Sequence, residues 1–185
     1  MDRIEAAFQA TPREDFLPAD VRDRAAYDGP LPIGHGQTCS QPRTVVAMLR
    51  LLEARPGDRV LDVGSGSGWT TALLAHLVGS DGEVRGLELE SDLVELGRRH
   101  LAGTDRTWAR IDAAEPGVLG DPRHAPYDRV LVSAGATELP TALVEQLTTG
   151  GRMVVPVRGE LLLVVTGPDG PVVTRHGAYR FVPLR

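Results

Sequence analysis

From Arg59 onward short apolar runs alternate with helix-patterned segments, and this alternation restricts the possible folds more than any other feature of the chain. The run RVLDVG, 59–64, reads as a buried strand; a glycine-rich turn and a helix through WTTALLAHLV, 69–78, follow it. GSDG then leads to a second strand, EVRGLEL (83–89), and to a helix through DLVELGRRHL (92–101). A weak third strand lies near TWARID (107–112), and a Gly- and Pro-rich loop, 113–126, leads to a fourth, YDRVLVSAG (127–135). A helix over ELPTALVEQL (138–147) stops at TTGG, and GRMVVPV (151–157) is the fifth strand. The last two, ELLLVVTG (160–167) and PVVTRHGAYRFVPL (171–184), are joined by PDG as a hairpin. Strands separated by helices need right-handed crossovers, so the expected fold is α/β, doubly wound and mostly parallel, with an antiparallel C-terminal hairpin at one edge.

A chain of 185 residues is expected to form one domain. Within it, residues 59–185 supply the strand–helix core and 1–58 a helical and loop cap. RIEAAF (3–8) and ADVRDRAAY (19–27) are short helix candidates, and TVVAMLRLLEA (44–54) is a firmer amphipathic one. Composition narrows the partners. A net charge of −5 argues against nucleic acid, whose phosphates call for a basic surface. No run of 18 apolar residues is long enough to span a membrane, and the acidic, polar start does not read as a signal peptide. The one cysteine, Cys39, allows neither an internal disulfide nor a cysteine metal cluster, and the five histidines show no ligand spacing. The expectation is a cytoplasmic protein without a metal.

LDVGSGSGWT lies where the first strand passes into the first helix. Glycines there let a ligand approach the backbone, and the helix N-terminus offers free N–H groups. A dinucleotide fingerprint would place its third glycine at Trp69; the observed spacing is Gly64, Gly66, Gly68, with Asp62 two places ahead. This pattern resembles motif I of the class I S-adenosylmethionine-dependent methyltransferases; a purely structural glycine turn is the alternative. Glu88, at the end of the second strand, is placed to accept from both hydroxyls of a ribose, whereas nearby Glu90 reads as a solvated helix-start acid. Asp112, ending the third strand, could accept from an adenine amino group or serve as a loop or capping aspartate. Together these residues describe an adenosine site, and the resemblance implies S-adenosyl-L-methionine as its cofactor.

Ahead of the core stands LPIGHGQTCSQP, 31–42, with neither helical nor strand periodicity. With PREDF, HAPYDRVLVSAGATELP, LTTGGRMVVPV and FVPL in the same order, it resembles the protein-L-isoaspartate O-methyltransferases over nearly the whole chain. The resemblance implies a seven-stranded Rossmann-like methyltransferase sheet. It also implies methyl transfer to the carboxylate of isoaspartyl residues in peptides or proteins, which starts repair through a succinimide. Carried over by position, Ser40 would contact the substrate carboxylate, with Thr38, Gln41 and His35 near it; Asp62, Gly64, Gly66, Gly68, Glu88 and Asp112 would hold the cofactor. Cys39 stands where the family has an aliphatic residue and reads as a packing residue. His35 could equally be a solvated loop residue, and Thr38 and Gln41 could simply satisfy loop backbone.

The chain departs from the family pattern at IDAAEPG, where an aromatic is replaced around Ala114 and Glu115, and at Arg43, which follows Pro42 in place of an aromatic. By the resemblance, a helix usual ahead of the PREDF segment is expected to be lacking, with only the short RIEAAF candidate before it. Three alternatives therefore stand beside isoaspartyl repair: an aspartyl O-methyltransferase dedicated to one partner peptide, an RNA adenine methyltransferase, and a degenerate cofactor-binding domain.

Overall fold

The computed structural model describes residues 2–185. The chain opens with α1 (Arg3–Gln9), whose N-terminus is closed by a capping box between Asp2 and Glu5. Next come a hairpin of β1 (Leu31–Gly34) and β2 (Gln37–Cys39), and then α2 (Pro42–Leu52). The core follows as β3 (Arg59–Val63), α3 (Trp69–Val78), β4 (Glu83–Glu88), α4 (Ser91–Ala102) and β5 (Ala109–Ala113). It continues through β6 (Tyr127–Val132), α5 (Thr141–Val144), β7 (Leu147–Val157), β8 (Glu160–Gly167) and β9 (Gly170–Ala178).

Seven strands form one sheet in the order β5-β4-β3-β6-β7-β8-β9. Those from β5 to β7 run parallel, and β8 and β9 are antiparallel at the edge. The expected fold class is what the chain adopts. Val60, Val84, Leu131 and Val154 face a core completed by α1 to α4. Alternate residues, Leu61, Val63, Val130, Met153 and Val155, face the other way. That second face is covered by short α5 and by apolar residues of the 114–125 loop, such as Leu119. Every residue of α3 except His76 is buried, because this helix lies between the sheet and α1 and α4. Strand order reverses between β3 and β6, so a crevice opens beyond their carboxyl ends.

Four local expectations are corrected. ADVRDRAAY is no α-helix: it holds a 3-10 turn, Arg22–Arg24, after which the Arg13 guanidinium draws off the carbonyls of Ala25 and Tyr27. Residues 31–39, which lack strand periodicity, pair as a hairpin because Gly34, His35 and Gly36 all take positive φ and reverse the chain. The helix expected over 138–147 shrinks to Thr141–Val144, since Leu147 already pairs with Tyr127 in the sheet. The last strand ends at Ala178, just past Gly177 with φ +98°, and the remaining residues turn back toward the crevice.

Candidate active site

Beyond β3 the chain enters the glycine loop, whose Gly64 and Ser65 N–H groups both donate to Leu87 O of β4, at 2.9 and 3.0 Å. Gly64 and Gly66 line a cavity of about 460 Å³ at the crevice. At φ +52° Gly66 lies under Ile33 of the hairpin; an added Cβ would stand 3.1 Å from Ile33 Cδ1. Gly68 does other work. It caps α3 at φ +89° and packs on α4, where its Cβ would meet Gly97 O at 3.1 Å. It does not line the cavity.

Glu88 is buried, lines the cavity and ties the loop to β4. Its Oε2 accepts from Gly66 N–H at 2.9 Å, and its Oε1 from Leu89 and Glu90 N–H at 2.7 and 3.1 Å. An ionised carboxylate has about four acceptor positions, so three backbone bonds leave room for roughly one more. Asp62 lies behind the loop, fully buried, and accepts from the Thr70 and Thr71 hydroxyls at 2.8 and 2.7 Å. Burial pushes its carboxyl up to about 6 against these two hydrogen bonds. It shapes the start of α3 from beneath and is outside the cavity lining.

The hairpin and the residues after it form the opposite wall. Arg13, from the PREDF segment, is almost fully buried and gathers the carbonyls of Tyr27, Gly29, Cys39 and Ser40 at 2.8–2.9 Å. It also lies over the Trp69 ring, 5.4 Å from the centroid. This fan of bonds fixes Ser40, which lines the cavity with Gln37 and Thr38. Cys39 is buried beside them, and desolvation pushes its thiol up, away from the reactive thiolate.

Other predicted residues stand apart. Gln41 donates to Asp28 O at 2.8 Å and accepts from Thr44, as a loop-satisfying residue does. Arg43 is held by Asp28, whose carboxyl this pairing lowers. Asp112 is ion-paired with Arg98 at 3.1 Å and is absent from the cavity lining. Its neighbours Ala114 and Glu115 do line it. His35, at the hairpin tip, contacts Asp92 and Glu90 over the start of α4.

Three groups escape sequence reasoning. The C-terminal strap Val182, Pro183, Leu184 and Arg185 forms a cavity wall, held by Gly135 N–H to Val182 O and Leu184 N–H to Gly135 O. Ser65 and Ser133 line the same space, each with a buried hydroxyl that has no partner within the protein. No periodicity marks them; GSGSG and VSAG show only small residues at strand ends.

These features fit an adenosine-bearing ligand. Two glycines of positive φ leave the backbone bare, two orphan hydroxyls await partners, and Glu88 keeps an acceptor position toward the cavity. Among the described residues no group of three or more His, Cys, Asp or Glu could hold a metal. Nor is any helix long and apolar enough to cross a membrane.

The family model described as Protein-L-isoaspartate(D-aspartate) O-methyltransferase (PCMT) matches residues 1–185. A Methanopyrus kandleri protein-L-isoaspartate O-methyltransferase is 46% identical over 190 residues, covering 99% of this chain and 83% of its own. A solved protein-L-isoaspartate O-methyltransferase superposes with a TM-score of 0.90 at 26% identity, covering all of this chain and 62% of its own. A Plasmodium falciparum structure of the same description, in complex with S-adenosyl-L-homocysteine, gives 0.89 at 26% identity, with 100% and 91% covered. With a family match along its whole length and a relative at 46% identity, the chain belongs to the protein-L-isoaspartate(D-aspartate) O-methyltransferase family.

Proposed function

We propose that this chain transfers a methyl group from S-adenosyl-L-methionine to the carboxylate of L-isoaspartyl residues in peptides or proteins. One observation carries the reading. The cavity that takes in the glycine loop and Glu88 also takes in Ser40, yet its charged lining is Glu88, Glu115 and Arg185 alone. Glu88 is held by three backbone N–H groups, and Glu115 is paired with Arg123. A neutral hydroxyl or an ammonium would need a base to release a nucleophile. A carboxylate does not, because with a pKa of about 4 it is already ionised at neutral pH.

The cofactor, when bound, supplies an electrophilic methyl on a sulfonium. The protein's part is to bind, orient and exclude water. Glu88 would accept from the ribose, and Ser65 and Ser133 would give their orphan hydroxyls to the ligand. The bare backbone of Gly64 and Gly66 permits close approach. Asp112, paired with Arg98 outside the lining, reaches an adenine amino group in this proposal only if it turns from that arginine. The Ser40 hydroxyl, on a loop fixed by Arg13, donates to one carboxylate oxygen and leaves the other free to attack. Thr38 borders the substrate beside it, while His35 and Gln41 act through the shape of the loop. Orientation of this kind can contribute roughly 7–11 kcal/mol. No step needs a metal. Residues 1–58 and 59–185 work as one unit in this scheme, since each supplies one wall, and the chemistry suits a cytoplasmic setting.

The experiment is to offer matched isoaspartyl and aspartyl peptides with labelled S-adenosylmethionine and measure ester formation. Transfer to the isoaspartyl peptide alone is expected. Transfer to neither, with cofactor bound, would refute the reading and leave a degenerate cofactor-binding domain or an enzyme dedicated to one partner peptide, for which Arg43 and the altered wall at Ala114 and Glu115 would be the recognition changes.

A further inference from the structure

Glu90 immediately precedes α4, where a solvated acid is the ordinary expectation, yet its side chain is only 26% exposed and joins three parts of the molecule. Its Oε1 accepts from the Arg185 guanidinium at 2.6 Å. Its Oε2 lies 3.5 Å from His35 Nδ1, and His35 Nε2 lies 3.0 Å from Asp92 Oδ2. Its own N–H donates to Glu88 at 3.1 Å. Arg185 ends the strap that lines one side of the cavity, and His35 is the tip of the hairpin whose Ile33, Gln37 and Thr38 line another. Among the described residues no hydrogen bond or ion pair joins the two segments directly; both meet at this carboxylate, beside the residue placed on the ribose.

We propose that Glu90 is a positioning residue that clasps the hairpin and the strap over the cofactor cavity and so sets how long cofactor and product are retained. The inference rests on the proposed function for the ligand's identity. The tip is a poor hinge without the clasp. His35 sits at φ +53° between Gly34 at +99° and Gly36 at +70°, so little local structure holds the tip once its carboxylates are gone. Charge complements geometry here. Glu90 and Asp92 face the imidazole from the start of α4, and the strap's guanidinium shares the Glu90 carboxylate. A neutral imidazole has one donor nitrogen and can satisfy one of the two acids; the imidazolium can satisfy both.

Glu90 holds one partly exposed ion pair, with Arg185, and one polar contact, with His35, so removing this acid should speed ligand release by roughly twofold to thirtyfold. The test measures S-adenosylhomocysteine release by stopped flow, and amide hydrogen exchange of the ligand-free protein, for wild type, Glu90→Ala and Glu90→Gln. Release should quicken in Glu90→Ala and less in Glu90→Gln, which keeps an acceptor oxygen. Exchange should rise at 33–38 and at 182–185 together while β3 and β6 stay protected. His35→Ala should loosen only the hairpin, and Arg185→Ala only the strap. In turnover, KM for S-adenosylmethionine should rise without a fall in kcat. Unchanged release, loosening of fewer than both segments in Glu90→Ala, or exchange that rises equally through β3 and β6 would each overturn the clasp. Release and exchange need no peptide, so failure of isoaspartyl methylation would refute the proposed function and leave this test standing.

Discussion

The carboxyl of Asp62 is fully buried, and within the protein its charged form is supported by two threonine hydroxyls alone. Held up to about 6 from an ordinary value of 3.8, it keeps its proton in the folded chain at pH values where the unfolded chain has lost it. The folded state therefore binds more protons across that window, and stability falls as pH rises through it. The fall is on the order of 3 kcal/mol and is complete above about pH 6. Asp62→Asn keeps an oxygen for the threonines and cannot ionise. Urea denaturation from about pH 4 to about pH 7 should show the variant gaining on the wild type as pH rises. A constant difference would place the titration elsewhere. Glu88→Ala has a second consequence that its spacing alone would not suggest. Besides weakening cofactor binding at least about tenfold, it strands the N–H groups of Gly66, Leu89 and Glu90, a loss of about 1–3 kcal/mol for each one that stays buried. Calorimetry should therefore show lost affinity together with a lower denaturation midpoint. Ser40→Ala should do neither. It removes a bond to a charged substrate, so isoaspartyl methylation should slow by roughly 10- to 150-fold with S-adenosylmethionine affinity unchanged. Wild-type turnover in this variant would end the carboxylate-clamp role.

Among the elements, the hairpin-and-loop wall depends on a side chain that lies outside it. Arg13 reaches four carbonyls at 2.8–2.9 Å because a planar guanidinium presents five donors in a fixed fork. A lysine ammonium has three and no fork. Arg13→Lys should therefore raise KM for peptide and lower stability while cofactor affinity changes little. Equal peptide KM values for variant and wild type would show that the loop holds itself. This dependence explains what was legible. Gly64, Gly66 and Glu88 can be placed from order and spacing along single elements, and Ser40 from the family resemblance; all four line the cavity. Asp112 and Gln41 have the right chemistry at the right places, but Arg98 and Asp28 engage them, and partners brought in by the fold leave no periodic trace. Gly68 fills a packing need created by Gly97 on α4, which no pattern within its own loop contains. Strands β3, β4, β6, β7 and β8 are legible because apolar runs flanked by glycine have one outcome in a buried sheet, whereas β5, a mixed run at the sheet edge, gives only a weak signal. The hairpin was missed because its register comes from three consecutive positive-φ residues rather than from alternation.

For the whole molecule, the cavity draws its walls from 33–40, 63–70, 87–89, 114–120, 133–134 and 182–185, so it exists only when distant parts of the chain are folded together. Any ligand bound there must then stabilise the global fold, because unfolding one wall destroys the site. At a hundredfold excess over its Kd, a ligand that binds only the folded state contributes about 2.7 kcal/mol. For a chain of this size that corresponds to a rise in melting temperature of roughly 5–11 °C. S-adenosylhomocysteine should give such a shift with the wild type. Glu88→Ala at the same concentration should show about half of it or less, because a site weakened tenfold sees only a tenfold excess, whereas Ser40→Ala should show all of it. EDTA should move neither the melting temperature nor the ligand-induced shift, because no described residues form a metal cluster. A shift restored only by a divalent ion would mean that a metal completes the cavity. A shift equally large in Glu88→Ala would mean that the ligand is held elsewhere, and the division into a cofactor wall and a substrate wall would have to be redrawn.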